Sequence, residues 1–265
     1  MDNIRAVVLR AAGVNCDQET EYALQLAGAH AERMHINRLI EKPTLLDEFQ
    51  ILVFPGGFSY GDDVAAGKIL ANQIVHHLAD AVRGFIENGK LVLGICNGFQ
   101  VLVKTGILPG LEAEHNLSLQ DQAVSITNND SGKFEDRWVY LEPATERCVF
   151  INPDKRIYLP IAHGEGKVVT RNEELLQKLK SGGHVAFRYV DADGNDGGFP
   201  VNPNGSMDSM AGLTDSTGRV MGLMPHPERF VHPTQHPHWT RLPDGKRADG
   251  RTIFENAVRY VRENL

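Results

Sequence analysis

Ile4–Leu9 is a short apolar run, and the same dense pattern returns at Gln50–Phe54 (QILVF) and Leu91–Ile95 (LVLGI). Runs this short and this continuous suit strands buried on both faces. Between them the spacing changes. Asp17 to Ala27 is amphipathic and stops at Gly28, a good residue just past a helix end. From Asp63 to Asn88, Ile69, Leu70, Ile74, Leu78, Val82, Phe85 and Ile86 recur at helical spacing, which predicts a helix ended by Gly89. Gly98–Lys104 predicts another. Short strands alternating with helices imply an α/β fold with a parallel, doubly wound sheet, whose sites lie at the strand C-termini.

The second half reads differently. From about residue 115 to 200 the chain carries short alternating runs (VSITN, RWVYLEP, RIYLPIAH, HVAFRYVDADG) separated by turns rich in Gly, Asp and Asn. These predict antiparallel additions to the sheet, with one helix near Asn172–Lys180. Gly212–Asp215 and Val220–Met224 predict a hairpin around Ser216-Thr217-Gly218, and a final helix is expected from about Asp249 to Glu263. With no linker, repeat or low-complexity stretch, residues 1–265 are expected to form a single domain.

Composition narrows the function classes. The 265 residues are 42% hydrophobic and 23% charged, ordinary for a globular chain, with a formal net charge of -7. That balance argues against a nucleic-acid partner, which would want a basic face. The start, MDNIRAVVLRAAG, lacks the long apolar core and small-residue cleavage site of a signal peptide. No stretch approaches the roughly 20 apolar residues of a membrane helix, so a cytoplasmic protein that does not engage a membrane is expected. The three cysteines (Cys16, Cys96 and Cys148) are widely spaced and form no C-x-x-C pair, so neither a zinc ribbon nor a dithiol redox site is indicated.

Cys96 stands out because of its neighbours. Gly94-Ile95-Cys96-Asn97-Gly98 falls where a strand meets a helix, the layout of a nucleophile elbow with cysteine in place of serine. The glycines tolerate a tight turn, and the positive end of the following helix favours thiolate. A thiolate nucleophile wants a base, and the base wants an orienting group. GLMPHPERF supplies both: His226 and Glu228 are two residues apart in an extended segment and can face the same way. The third element is FPGGFSYGDD, where a Gly-Gly pair straight after a strand exposes the N–H groups of Gly57 and Phe58. With the N–H of Asn97 they would make an oxyanion hole for acyl transfer. A phosphate loop around Gly67-Lys68 fails, because the spacing to an earlier glycine is wrong and Ile69 stands where Ser or Thr should hold magnesium.

Other residues have plainer readings. Cys16 could rival Cys96 as nucleophile, but it lacks flanking glycines and reads as structural or interface-facing. Cys148, in CVFI, reads as core. His163-Gly164-Glu165-Gly166 is either a second acid/base pair, part of a substrate pocket or a polar turn. His232, His236 and His238 invite a metal reading, but the prolines among them, Pro233 and Pro237, make an irregular loop there, so no metal site is assigned.

The motif Gly94-x-Cys96-x-Gly98-x-Gln100 with His226-x-Glu228 resembles the class I, triad-type glutamine amidotransferases. PGGFSYGDD, Gly13-Val14-Asn15-Cys16-Asp17, PIAHGEG and PHPER narrow the resemblance to free-standing glutaminase subunits of purine biosynthesis. It spans essentially the whole chain. It implies that Cys96 attacks the side-chain amide of glutamine, that His226 moves the protons, and that Glu228 holds His226. It further implies oxyanion donors at Gly57, Phe58 and Asn97, and a substrate contact from Gln100. Ammonia would pass to a separate synthetase subunit, with ATP and magnesium on that partner and no cofactor in this chain. A small third subunit would often bridge the two. A cysteine hydrolase of similar architecture, such as a γ-glutamyl hydrolase, lacks this combination. A non-catalytic relative would normally have lost a triad residue.

Overall fold

A computed structural model describes residues 4–111, 117–120, 122–241 and 248–265. Residue 115, where the alternating pattern is first read, lies outside them. The first half contains β1 (Arg5–Arg10), α1 (Asp17–Leu26), β2 (His30–His35), α2 (Ile36–Glu41), β3 (Ile51–Phe54), α3 (Lys68–His77), α4 (Ala79–Glu87), β4 (Leu91–Ile95) and α5 (Asn97–Lys104). The second supplies β5 (Val124–Asn128), β6 (Glu135–Pro143), β7 (Ile157–His163), β8 (Glu165–Thr170), α6 (Glu173–Ser181), β9 (Val185–Val190), β10 (Met210–Thr214), β11 (Val220–Leu223) and α7 (Arg251–Asn264).

Among the described residues a nine-stranded sheet runs β2-β1-β3-β4-β11-β10-β9-β6-β7, and β5 pairs with β8 in a separate ribbon. The five strands from β2 to β11 are mutually parallel. Beyond β11 each pairing is antiparallel. The expected α/β architecture, a parallel sheet flanked by helices with antiparallel additions, is thus observed. Strand order reverses between β2-β1 and β1-β3, which makes the C-terminal ends of β1 and β3 a topological switch point. β3 and β4 are buried at every position, which is why their sequences show no alternation. A buried apolar cluster extends from Ile4 to Val261.

Helix boundaries follow local chemistry. Asn172 caps α6 by accepting from the Leu175 N–H at 2.9 Å. Glu173 and Glu174 open that helix, and Lys178 and Lys180 close it, complementing its dipole. The helix expected over Asp63–Asn88 is two helices. Leu78, at φ −128 and ψ 5, separates α3 from α4, and residues 63–67 lie outside both. Both helices bury their apolar faces, so the helical spacing runs across the break.

The antiparallel half curls. In a flat sheet β7 would lie roughly 19 Å from β11, four strand spacings away. Yet the His226 N–H, just past β11, donates to the Pro160 carbonyl of β7 at 2.8 Å. The far edge of the sheet therefore folds over the strand ends where the site lies.

Candidate active site

β4 ends at Ile95 and α5 begins at Asn97, so Cys96 alone makes the turn. It adopts φ +50 and ψ −105, and a conformation of this kind costs a non-glycine residue on the order of 1–3 kcal/mol. Gly98 permits the turn, since a Cβ there would overlap the Phe54 carbonyl oxygen of β3. Only a glycine lets α5 approach the β3 backbone this closely. The Cys96 thiol lies 3.7 Å from the Ala162 carbonyl of β7, as donor.

His226 follows β11, the strand paired with β4, and prolines flank it on both sides. Its Nδ1 lies 2.6 Å from Glu228 Oε1, and the two residues are 2% and 1% exposed. Burial alone would lower the imidazole pKa. The charge of Glu228 opposes that, with further support from the sulfurs of Cys96 and Cys16, and the net result is a pKa well above the ordinary value. The carboxylate fixes Nδ1 as the protonated nitrogen, which leaves Nε2 for chemistry. Neither Nε2 nor Glu228 Oε2 has a hydrogen-bond partner among the described residues.

A cavity of about 530 Å³ opens beside Cys96, which lines it among others with Gly57, Gln100, Ala162, His163 and Glu165. Phe58 and Phe134, 46% and 53% exposed, also line it with their rings 6.4 Å apart. A surface groove of about 630 Å³ along α6, lined by Leu111, Arg171 and Lys178 among others, has neither a cysteine nor a histidine in its lining.

Asn97 ties the cavity together. Its Oδ1 accepts from the Ser59 N–H at 3.2 Å, and its Nδ2 donates to Asp62 Oδ1 at 3.1 Å and to Gln100 Oε1 at 3.0 Å. Burial raises the Asp62 pKa, against hydrogen bonds from Gly67 and Asn97 that lower it. The structure alters two of the expected roles. The Phe58 N–H donates to the Gly13 carbonyl at 2.9 Å, so it is spent on the switch-point loop and is no oxyanion donor. Gly57, at φ +144, packs where a Cβ would lie 2.8 Å from Val14 Cα, and its N–H remains a candidate with that of Asn97. Gln100 lines the cavity, but its amide already serves the protein: Nε2 donates to the Glu165 carbonyl at 2.5 Å while Oε1 is held by Asn97. Its effect on a substrate would come through the wall it fixes.

His163 is a site residue the sequence left undecided. Asn129 Nδ2 donates to two carbonyls, those of Lys133 and His163, so its Oδ1 must be the acceptor facing His163 Nδ1 at 3.1 Å. Nδ1 therefore carries the proton. Burial, helped by nearby His226, pushes the His163 pKa down to about 4, which leaves a neutral ring whose Nε2 has no partner among the described residues. Cys148 is core, as expected, with burial pushing its thiol up to about 12.

The loop histidines serve packing and capping. His232 Nε2 contacts the Tyr22 hydroxyl at 2.8 Å, and buried His236 stacks near Trp138, Tyr158 and Phe230. Cys16 Sγ, a ring nitrogen of His226 and a Glu228 oxygen lie within 4.8 Å of one another, a set that could hold a metal. Arg229 Nη2 sits 3.1 Å from that sulfur, and its positive charge opposes a cation there.

A family model described as the CobB/CobQ-like glutamine amidotransferase domain matches residues 3–261. The chain belongs to the glutamine amidotransferase family. This amidotransferase is 47% identical to the phosphoribosylformylglycinamidine synthase subunit PurQ of Dehalococcoides mccartyi, across 99% of this chain and 100% of that one. It is 39% identical to the subunit of the same name from Archaeoglobus fulgidus, covering 99% and 98%. Among solved structures it is similar to a chain of PurLQS from Thermotoga maritima, with TM-score 0.72, 31% identity and coverage of 98% and 99%.

Proposed function

We propose that this chain is the glutaminase subunit of a phosphoribosylformylglycinamidine synthase, with Cys96, His226 and Glu228 as its triad. One juxtaposition carries the reading: a strained cysteine and a buried His–Glu pair occupy the ends of the paired strands β4 and β11, beside one cavity. Full-length identity to named subunits supports the pathway assignment.

In this mechanism glutamine occupies the cavity, and the Cys96 thiolate attacks its carboxamide carbon. The carbonyl electrons move onto oxygen, where the N–H groups of Gly57 and Asn97 stabilise the charge. Imidazolium His226 gives its proton to the leaving nitrogen, ammonia departs, and a γ-glutamyl thioester remains on Cys96. His226 then takes a proton from water as that water attacks the thioester, and glutamate and the thiolate are released. Glu228 stays ionised throughout and holds the ring.

The ammonia passes to a separate synthetase subunit, which uses ATP and magnesium to convert formylglycinamide ribonucleotide to its amidine. A small third subunit completes the assembly, and this chain carries no cofactor. Among the described residues no helix is long and apolar enough to cross a membrane, and the pathway places the protein in the cytoplasm. The test is Cys96→Ser in the assembled complex. Glutamine-dependent synthesis should vanish while ammonia-dependent synthesis continues. Retained glutamine use would refute the mechanism.

A further inference from the structure

Besides His163, the chemistry above leaves a buried thiol beside the triad unused. Cys16 precedes α1 at the switch point and is 1% exposed. Its own N–H donates to the Gly56 carbonyl at 3.2 Å, and Thr20 Oγ1 bonds its carbonyl at 2.7 Å, so its backbone is fixed. The thiol donates to Asn15 Oδ1 at 3.3 Å and accepts from Arg229 Nη2 at 3.1 Å. A Cβ placed on Gly56 would touch both the His226 ring and this sulfur, so the thiol borders the catalytic imidazole.

Arg229 directly follows Glu228, whose Oε2 is buried and unpartnered among the described residues. A guanidinium binds a carboxylate more strongly than a thiol, and often with two parallel hydrogen bonds. Arg229 nevertheless engages the sulfur and makes no ion pair with Glu228. We infer that Cys16 is a positioning residue of this site: its sulfur holds the Arg229 guanidinium off Glu228 and so reserves the carboxylate for His226. The inference rests on the triad assignment above.

Without the sulfur, Arg229 would swing onto Oε2 and share the carboxylate. His226 would lose part of its anionic support, and the imidazolium that protonates the leaving nitrogen would become harder to keep. The other groups facing His226 are Cys96 from the β4–α5 turn and His163 from β7, and neither changes place in this account.

The experiment uses the assembled complex. Cys16→Ala should lower kcat for glutamine on the order of 10- to 100-fold, up to the loss that a misplacement of about 1 Å in a catalytic constellation can cause, with KM little changed. It should also move the alkaline limb of kcat/KM to lower pH. Cys16→Ser, whose hydroxyl can still accept from Arg229, should recover most of the rate. In an Arg229→Gln background, Cys16→Ala should cost clearly less than it does beside Arg229, retaining only the loss of the sulfur's own support of His226. Three results would overturn the inference: wild-type turnover in Cys16→Ala, an equal loss in both backgrounds, or a serine variant as slow as alanine. Ammonia-dependent synthesis reports that each complex has folded and assembled. Failure of the triad reading itself would show separately, as glutamine use by Cys96→Ser.

Discussion

Lowering the pH from 7 to 4 forces a proton onto His163 in a setting built for the neutral ring. Its Nδ1 proton is committed to Asn129, and burial together with neighbouring His226 holds its pKa at about 4. In the unfolded chain the same side chain titrates near 6.5. Because the folded value is the lower one, the unfolded state binds the proton first. The penalty is absent above pH 6.5, grows as pH falls through the window, and levels off below about 4. Each tenfold change in proton activity is worth about 1.4 kcal/mol, so the gap corresponds to about 3 kcal/mol of stability. His226 leaves this window undisturbed: its folded pKa is the raised one, so its contribution is fully present below 6.5 and is lost only at higher pH. Urea unfolding of wild type and His163→Gln at pH 7 and pH 4 isolates the term. Wild type should lose about 3 kcal/mol more than the variant on acidification. Equal losses in the two proteins would refute the buried neutral histidine.

Asn97→Ala removes three hydrogen bonds and strands the Ser59 N–H and Gln100 Oε1, while Asp62 Oδ1 keeps only the Gly67 N–H. A loss of at least about 2 kcal/mol on urea unfolding is expected from the buried groups left unsatisfied, with a fall in glutamine turnover; unchanged stability would show that Asn97 does not hold the loop. The glutamine analogue 6-diazo-5-oxo-norleucine should alkylate Cys96, as read by peptide mass spectrometry. An adduct on Cys16 would reverse the roles given to the two thiols.

Much of the site was legible because its chemistry is local. Cys96 with its glycines, and His226 with Glu228, each sit within five residues at a strand end, and β3, β4 and β11 show as apolar runs. β2 was not legible: it is an edge strand in which only Ala31 and Met34 are buried, so neither a dense run nor alternation marks it. β8 was likewise absorbed into a turn-like stretch after His163. The role of Phe58 was misplaced because only the fold reveals that Gly13 claims its N–H. Cys16 escaped for the same reason. Its neighbours Arg229 and His226 are more than 200 residues away in sequence, and no local pattern records that proximity. His163 was noticed, but its protonation depends on Asn129 and on burial, neither of which a motif displays.

The curl of β7 over the strand ends also bears on how the protein matures. A chain emerging in order completes β1 to α5, and with them the cysteine turn, long before the segments that carry His163 and His226 exist. The final walls are set only when the far edge of the sheet closes back and the Pro160 carbonyl meets the His226 N–H. Until His226 arrives with β11 beside β4, the nascent chain holds a thiol without a base. Ammonia release is thereby withheld from folding states that lack β11.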